Sequence, residues 1–188
     1  MKLDELQIKK KLSIAFKNHK NKKFQTAEKL YKEILNSNKN NLEANFNLGT
    51  LYSQLRKFDL ALPLLMKAKE LNPNNINIDL NIGNLLLERG DFENSLKFFE
   101  KISQIQPKFV LAHFNKGIIF NNQKKYHDAI RCFEKVIEID PKNIDAYNVL
   151  GIILQEIGDL KKSLSYLKKS LNIDPNNLRV INTLFSLL

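Results

Sequence analysis

Gly49, Gly83, Gly117 and Gly151 stand 34 residues apart, and Pro73, Pro107, Pro141 and Pro175 keep the same interval. Three further columns run through the chain without a gap: Phe24, Phe58, Phe92, Tyr126, Leu160; Ala27, Ala61, Ser95, Ala129, Ser163; and Tyr31, Leu65, Phe99, Phe133, Leu167. A unit of this length cannot bury an apolar face alone. It must stack on its neighbours, which predicts an elongated solenoid whose usual work is to hold another molecule.

Residues 42–75 show what the unit is: two amphipathic stretches separated by Leu55-Arg56-Lys57, a connection too short for anything but an antiparallel helical hairpin. Asn75 and Asn143 are placed to cap the helices that follow. Gly90-Asp91 and Gly158-Asp159 supply a residue tolerant of positive φ and then a capping carboxylate. In Ile139-Asp140-Pro141 and Ile173-Asp174-Pro175 the proline pushes the preceding residue away from helix, so the second helix ends there. The glycine column is expected to face the Ala61 or Ser95 column at roughly 8–10 Å between helix axes. The bulky column of Tyr31, Phe99 and Phe133 is expected to bridge one hairpin and the next.

An array of this kind has no internal boundary, so residues 1–188 read as one domain. No apolar run approaches the length of a bilayer span. Residues 1–23 are lysine-rich and lack the hydrophobic stretch of a secretory signal, and the single Cys132 fits a reducing, cytoplasmic compartment. The formal charge of +10 and the pI near 9.6 raise the question of a nucleic-acid or anionic-surface partner. Lysine, asparagine and isoleucine are abundant together, however, a pattern that biased codon usage also produces.

The 34-residue hairpin with Asn47-Leu48-Gly49, Tyr52, Phe58, Ala61, Ala68 and Pro73 resembles the tetratricopeptide repeat. The resemblance covers five repeats at about residues 8–41, 42–75, 76–109, 110–143 and 144–177, then a partial sixth first helix at 178–188. The first repeat departs most, with Lys11 where the family favours a large aromatic, Ala15 for the glycine and Lys39 for the proline, and it reads as a polar end cap. The resemblance implies an all-α, right-handed superhelix of antiparallel helix pairs whose first helices line the concave face. It also implies a non-catalytic scaffold for a protein or peptide partner, with a transferase-type enzyme carrying these repeats as its recognition segment as the alternative.

On that face the sequence places Phe46, Asn47 and Thr50; Leu80, Asn81 and Asn84; Phe114, Asn115 and Ile118; and Asn148 and Ile152. The lysines fall elsewhere, on second helices (Lys29, Lys32, Lys67, Lys97, Lys101, Lys135, Lys168, Lys169), often beside glutamates. An uncharged path argues against a nucleic-acid groove, which would line it with cations. It also argues against a clamp for acidic chaperone tails. Asn47, Asn81 and Asn115 each precede their glycine by two residues, similar to the asparagine ladder of O-linked N-acetylglucosamine transferases, while Ser13 and Val149 break the pattern at either end. A carboxamide can satisfy both C=O and N–H of an extended peptide without reading its side chains.

No chemistry stands out beside this. His19, His113 and His127 share no metal-ligand spacing with Cys132, no glycine-rich phosphate loop is present, and no metal or cofactor is expected. His113 is expected to pack as a ring, and His19 and His127 to be solvated. The apolar end at 178–188 is a candidate lid or self-association surface.

Overall fold

In a computed structural model, described for residues 3–185, the chain is helical throughout, with no strand among the described residues. The helices are α1 (Glu5–Lys20), α2 (Phe24–Ser37), α3 (Leu42–Gln54), α4 (Phe58–Leu71), α5 (Ile76–Arg89) and α6 (Phe92–Ile105), followed by α7 (Val110–Asn122), α8 (Tyr126–Ile139), α9 (Ile144–Glu156), α10 (Leu160–Ile173) and α11 (Leu178–Phe185). Odd and even helices pair as the hairpins that the 34-residue interval requires. They group into two compact units, Met1–Phe98 and Phe99–Leu188. The sequence-predicted apolar end runs past α11 into residues 186–188, which lie outside the described residues.

The caps act as the sequence predicts. Asn75 accepts from the Asn77 N–H at 2.9 Å and Asn143 from the Ala146 N–H at 3.0 Å. Asp159 accepts from the Lys162 N–H at 3.1 Å. The first helix carries a capping box in which the Asp4 carboxylate takes the Gln7 N–H at 2.8 Å and the Gln7 carboxamide takes the Asp4 N–H at 3.1 Å. Second helices end in one extended geometry, φ −141° at Asn72 and −128° at Asp140, each before a proline. Asn38 adopts φ −142° with no proline after it, so that stop is set by the hairpin and only reinforced by the imide.

The turn inside each hairpin demands a left-handed residue. Gly90 and Gly158 supply it at φ +84° and +82°. Lys22, Arg56 and Lys124, one repeat interval away in the same column, are forced to +57°, +55° and +58°. A non-glycine side chain there costs about 1–2 kcal/mol.

The glycine and bulky columns meet within one hairpin, and the bulky column also joins the core of the next, Tyr31 with Leu48 and Phe133 with Leu150. A Cβ on Gly49 would lie 2.8 Å from Leu65 Cγ, one on Gly117 2.8 Å from the Phe133 ring, and one on Gly151 2.4 Å from Leu167. The missing side chain is the room that the large one occupies. Where serine replaces alanine in the small column, its hydroxyl turns back onto the glycine's own carbonyl: Ser95 onto Gly83 and Ser163 onto Gly151, both at 2.7 Å. Tyr31, Leu48, Leu51, Leu65, Ile82 and Leu85 then form the core of the first unit, and Phe133, Val136, Leu150 and Ile153 that of the second.

A polar column at 45, 79 and 113 ties three hairpins to the loop before each. Asn45 donates to the Lys39 carbonyl at 2.9 Å, and His113 Nε2 lies 2.8 Å from the Pro107 carbonyl, in each case six residues upstream. His113 therefore serves as a hydrogen-bond donor and not as the packed ring the sequence suggested. Asp79 stands in the same column but has no proton to give. It recruits Lys69, whose ammonium pairs with the buried carboxylate and donates to the Pro73 carbonyl. His19, expected in solvent, is half-buried, edge-on to Phe24 and Tyr31 at 6.0 and 6.3 Å, with Nε2 3.0 Å from Gln54 Oε1. His127 is exposed in the first turn of α8.

Candidate functional site

The first helices of residues 1–98 leave two grooves. One, of about 790 Å³, runs between α1 and α3 over Ile8, Leu12, Phe16 and Phe46, with Asn47 on its wall and Glu5, Lys9 and Glu43 at its mouth. The other, of about 360 Å³, lies between α3 and α5 and is built from Thr50, Ser53, Gln54, Asn81 and Asn84, with the Arg56–Glu88 pair at 3.7 Å closing one end. Helix α3 serves both: successive turns of one face give Phe46 and Asn47 to the first, then Thr50, Ser53 and Gln54 to the second. The α1 half of the apolar groove escapes a reading that starts from the glycine column, because Ala15 replaces the glycine and Lys11 the aromatic. Its period-four run of Ile8, Leu12 and Phe16 is the signal that marks it.

Of the expected site residues, Phe46, Asn47, Thr50, Asn81 and Asn84 line these grooves, and Leu80 lies half-buried beside Asn81 in α5. The Thr50 hydroxyl donates to the Phe46 carbonyl at 2.8 Å, and the Asn81 carboxamide donates to the Thr50 oxygen at 3.0 Å.

The corresponding residues in α7 and α9 meet other partners. Phe114 packs edge-to-face on Phe133, ring centroids 5.3 Å apart, and Ile118 joins it against the core of the second unit. Asn115 and Ile152 are half-buried. Asn148 is a correction: it is buried, and its carboxamide oxygen accepts the Ser170 hydroxyl at 2.6 Å, so it ties α9 to α10 instead of facing a ligand. Serine at 170, 22 residues downstream, draws the carboxamide inward.

Charge sits where the sequence puts it. The second-helix lysines pair along their own helices, Lys32 with Glu28 at 2.6 Å, Lys67 with Glu70 at 2.9 Å and Lys135 with Glu138 at 2.7 Å. Lys32, with the Tyr52 hydroxyl, holds the Glu28 carboxyl below its usual range. Such exposed pairs contribute only tenths of a kcal/mol, about 0.3–0.5 each. Burial pushes the Cys132 thiol up, away from the thiolate a nucleophile needs. Among the described residues, no group of three His, Cys, Asp or Glu side chains could hold a metal ion, and no helix is long and apolar enough to cross a membrane.

Family models described as tetratricopeptide repeat match residues 19–78, 80–109, 110–143 and 132–164. No curated protein sequence matches the chain. Among solved structures it is similar to MamA, at 21% identity over 92% of this chain and 94% of that one, with a TM-score of 0.80. It is also similar to MamA from Desulfovibrio magneticus RS-1, residue 41 to the end (19%, 90% and 96%, TM-score 0.84). A third likeness is to YrrB, a TPR protein with an unusual peptide-binding site (19%, 92% and 89%, TM-score 0.76). At these identities the likeness establishes the fold, an all-α solenoid of helix pairs.

Proposed function

The chain belongs to the tetratricopeptide-repeat family of protein-interaction scaffolds, and on that premise we propose that it holds an extended peptide segment of a partner protein along the first helices of residues 1–98. The observation that carries the reading is the pair of grooves sharing α3, one floored by apolar side chains and the next built from Thr50, Ser53, Gln54, Asn81 and Asn84, with the Arg56–Glu88 pair at one end. An extended strand has both needs: apolar side chains to bury, and C=O and N–H groups that must not be left unpaired. Asn47 and Asn81 are the rungs of a carboxamide ladder on this surface, as in the asparagine ladder the sequence resembles. YrrB, with its peptide-binding site on the same fold, lends the ligand class support.

Magnitudes divide the labour. Two carboxamide contacts at a net ~0.5–1.5 kcal/mol each do not offset an association cost of roughly 4–15 kcal/mol. The apolar groove must supply the remainder, with Ile8, Leu12, Phe16 and Phe46 as anchoring surface. The reading assigns the chain no catalytic step.

The test is a titration of the isotope-labelled protein with the tightest 12-residue peptide selected from a random library. Asn47→Ala combined with Asn81→Ala should weaken that peptide roughly tenfold, with helicity by circular dichroism unchanged. An unchanged dissociation constant removes the carboxamides from the site, and failure to select any peptide removes the reading itself.

A further inference from the structure

We infer that Thr50 is a positioning residue that makes Asn81, rather than Asn47, the principal backbone clamp of this surface. The inference rests on the peptide-binding reading above and concerns how the polar groove does its work.

The hydrogen-bond directions fix the argument. A threonine hydroxyl has one proton, and the Thr50 proton is committed to the Phe46 carbonyl one helical turn back, at 2.8 Å. What its oxygen offers α5 is therefore a lone pair. The Asn81 carboxamide, 3.0 Å away, must meet that lone pair with an N–H. This removes the ambiguity between the oxygen and nitrogen ends of the amide and locks the rotation of the side chain. One Nδ2–H is spent on Thr50. The Oδ1 and the second Nδ2–H remain directed by a fixed amide plane, and one acceptor beside one donor is the complement of a peptide group in an extended strand.

Asn47 has no such partner. No hydrogen bond to its carboxamide is formed by any described residue, and it lines the apolar groove, where the neighbouring position is Phe16. Thr50 holds the one hydroxyl in its column: the residues one or more repeats away are Phe16, Asn84, Ile118 and Ile152. A preordered carboxamide loses less rotamer freedom on binding than a free one, and that loss is part of the cost of association. The ligand assigned to the groove between α3 and α5 is accordingly the main chain of an extended stretch, and the side-chain anchor belongs to the groove between α1 and α3.

The experiment uses the full chain and the same selected 12-residue peptide. Thr50→Val keeps the shape of the side chain and deletes the hydroxyl; it should weaken binding about fivefold, while Thr50→Ser stays within about twofold of the parent. Asn47→Ala should cost less than Asn81→Ala. In the free protein, the Asn81 side-chain NH₂ resonances should move in Thr50→Val and return in Thr50→Ser, a signature that altered packing alone would not give. If Thr50→Val binds like the parent while Asn81→Ala binds weakly, the positioning role is overturned and the peptide site stands. If Asn81→Ala also binds like the parent, the clamp assigned to this groove is overturned with it.

Discussion

The same repeat positions behave differently in the two halves of the chain. On α3, Phe46, Asn47 and Thr50 line grooves, and on α5 Asn81 and Asn84 do. On α7 and α9, Phe114 and Ile118 pack against a core, as Phe46 also does in the first unit, and Asn148 is consumed by Ser170. A column position fixes where a side chain starts, but the residue it meets decides whether it is available. Identity along a repeat is therefore a poor guide to function, and the available hydrogen-bonding capacity is a better one.

The largest expected effect probes the polar column of the first unit. Lys69→Met leaves the Asp79 carboxylate buried without its cation and should cost about 3–5 kcal/mol in urea unfolding. Adding Asp79→Asn should recover most of that loss, because an asparagine can donate to the loop carbonyl as Asn45 already does one repeat earlier. Absence of recovery would mean the column does not tie loops to helices.

A smaller effect tests the contrast directly. Asn148→Ala strands the Ser170 hydroxyl and should cost about 1–3 kcal/mol, whereas Asn47→Ala should stay within about 0.5 kcal/mol. Equal costs by thermal or urea denaturation would erase the distinction between a structural and an available asparagine.

The smallest effect concerns Tyr31, which is buried with no hydrogen-bond partner for its hydroxyl among the described residues. Burial, with a lesser push from Glu43, raises its pKa to about 12. Tyr31→Phe should be neutral or stabilising by up to about 1 kcal/mol at pH 7. The hydroxyl stays neutral in the folded chain while the unfolded one ionises near pH 10, so the parent loses stability between about pH 10 and 12 and the advantage of the variant grows over that window. A variant less stable than the parent at neutral pH would show that the hydroxyl has a partner after all.

Much of this was legible in the sequence, and the limits have physical causes. The period, the hairpin, the caps at Asn75 and Asn143 and the glycine turns at Gly90 and Gly158 follow from local chemistry. Lys22, Arg56 and Lys124 share the left-handed turn, yet no residue preference advertises it, because the hairpin imposes that backbone on whatever stands there. The small column meets the glycine as expected, but spacing alone did not show that the space left by Gly117 is filled by Phe133 from the same hairpin. Asn148 and His19 were misplaced because their partners, Ser170 and Gln54, lie 22 and 35 residues away, and spacing from the glycine cannot register them.

The central claim is that the available surface lies on α1, α3 and α5. Chemical-shift mapping of the labelled chain against the selected peptide tests it most directly. Perturbations should cluster at Phe16, Phe46, Asn47, Thr50 and Asn81 and leave Ile118 and Asn148 unmoved; perturbations centred on α7 and α9, or on the lysine-bearing second helices, would contradict the account.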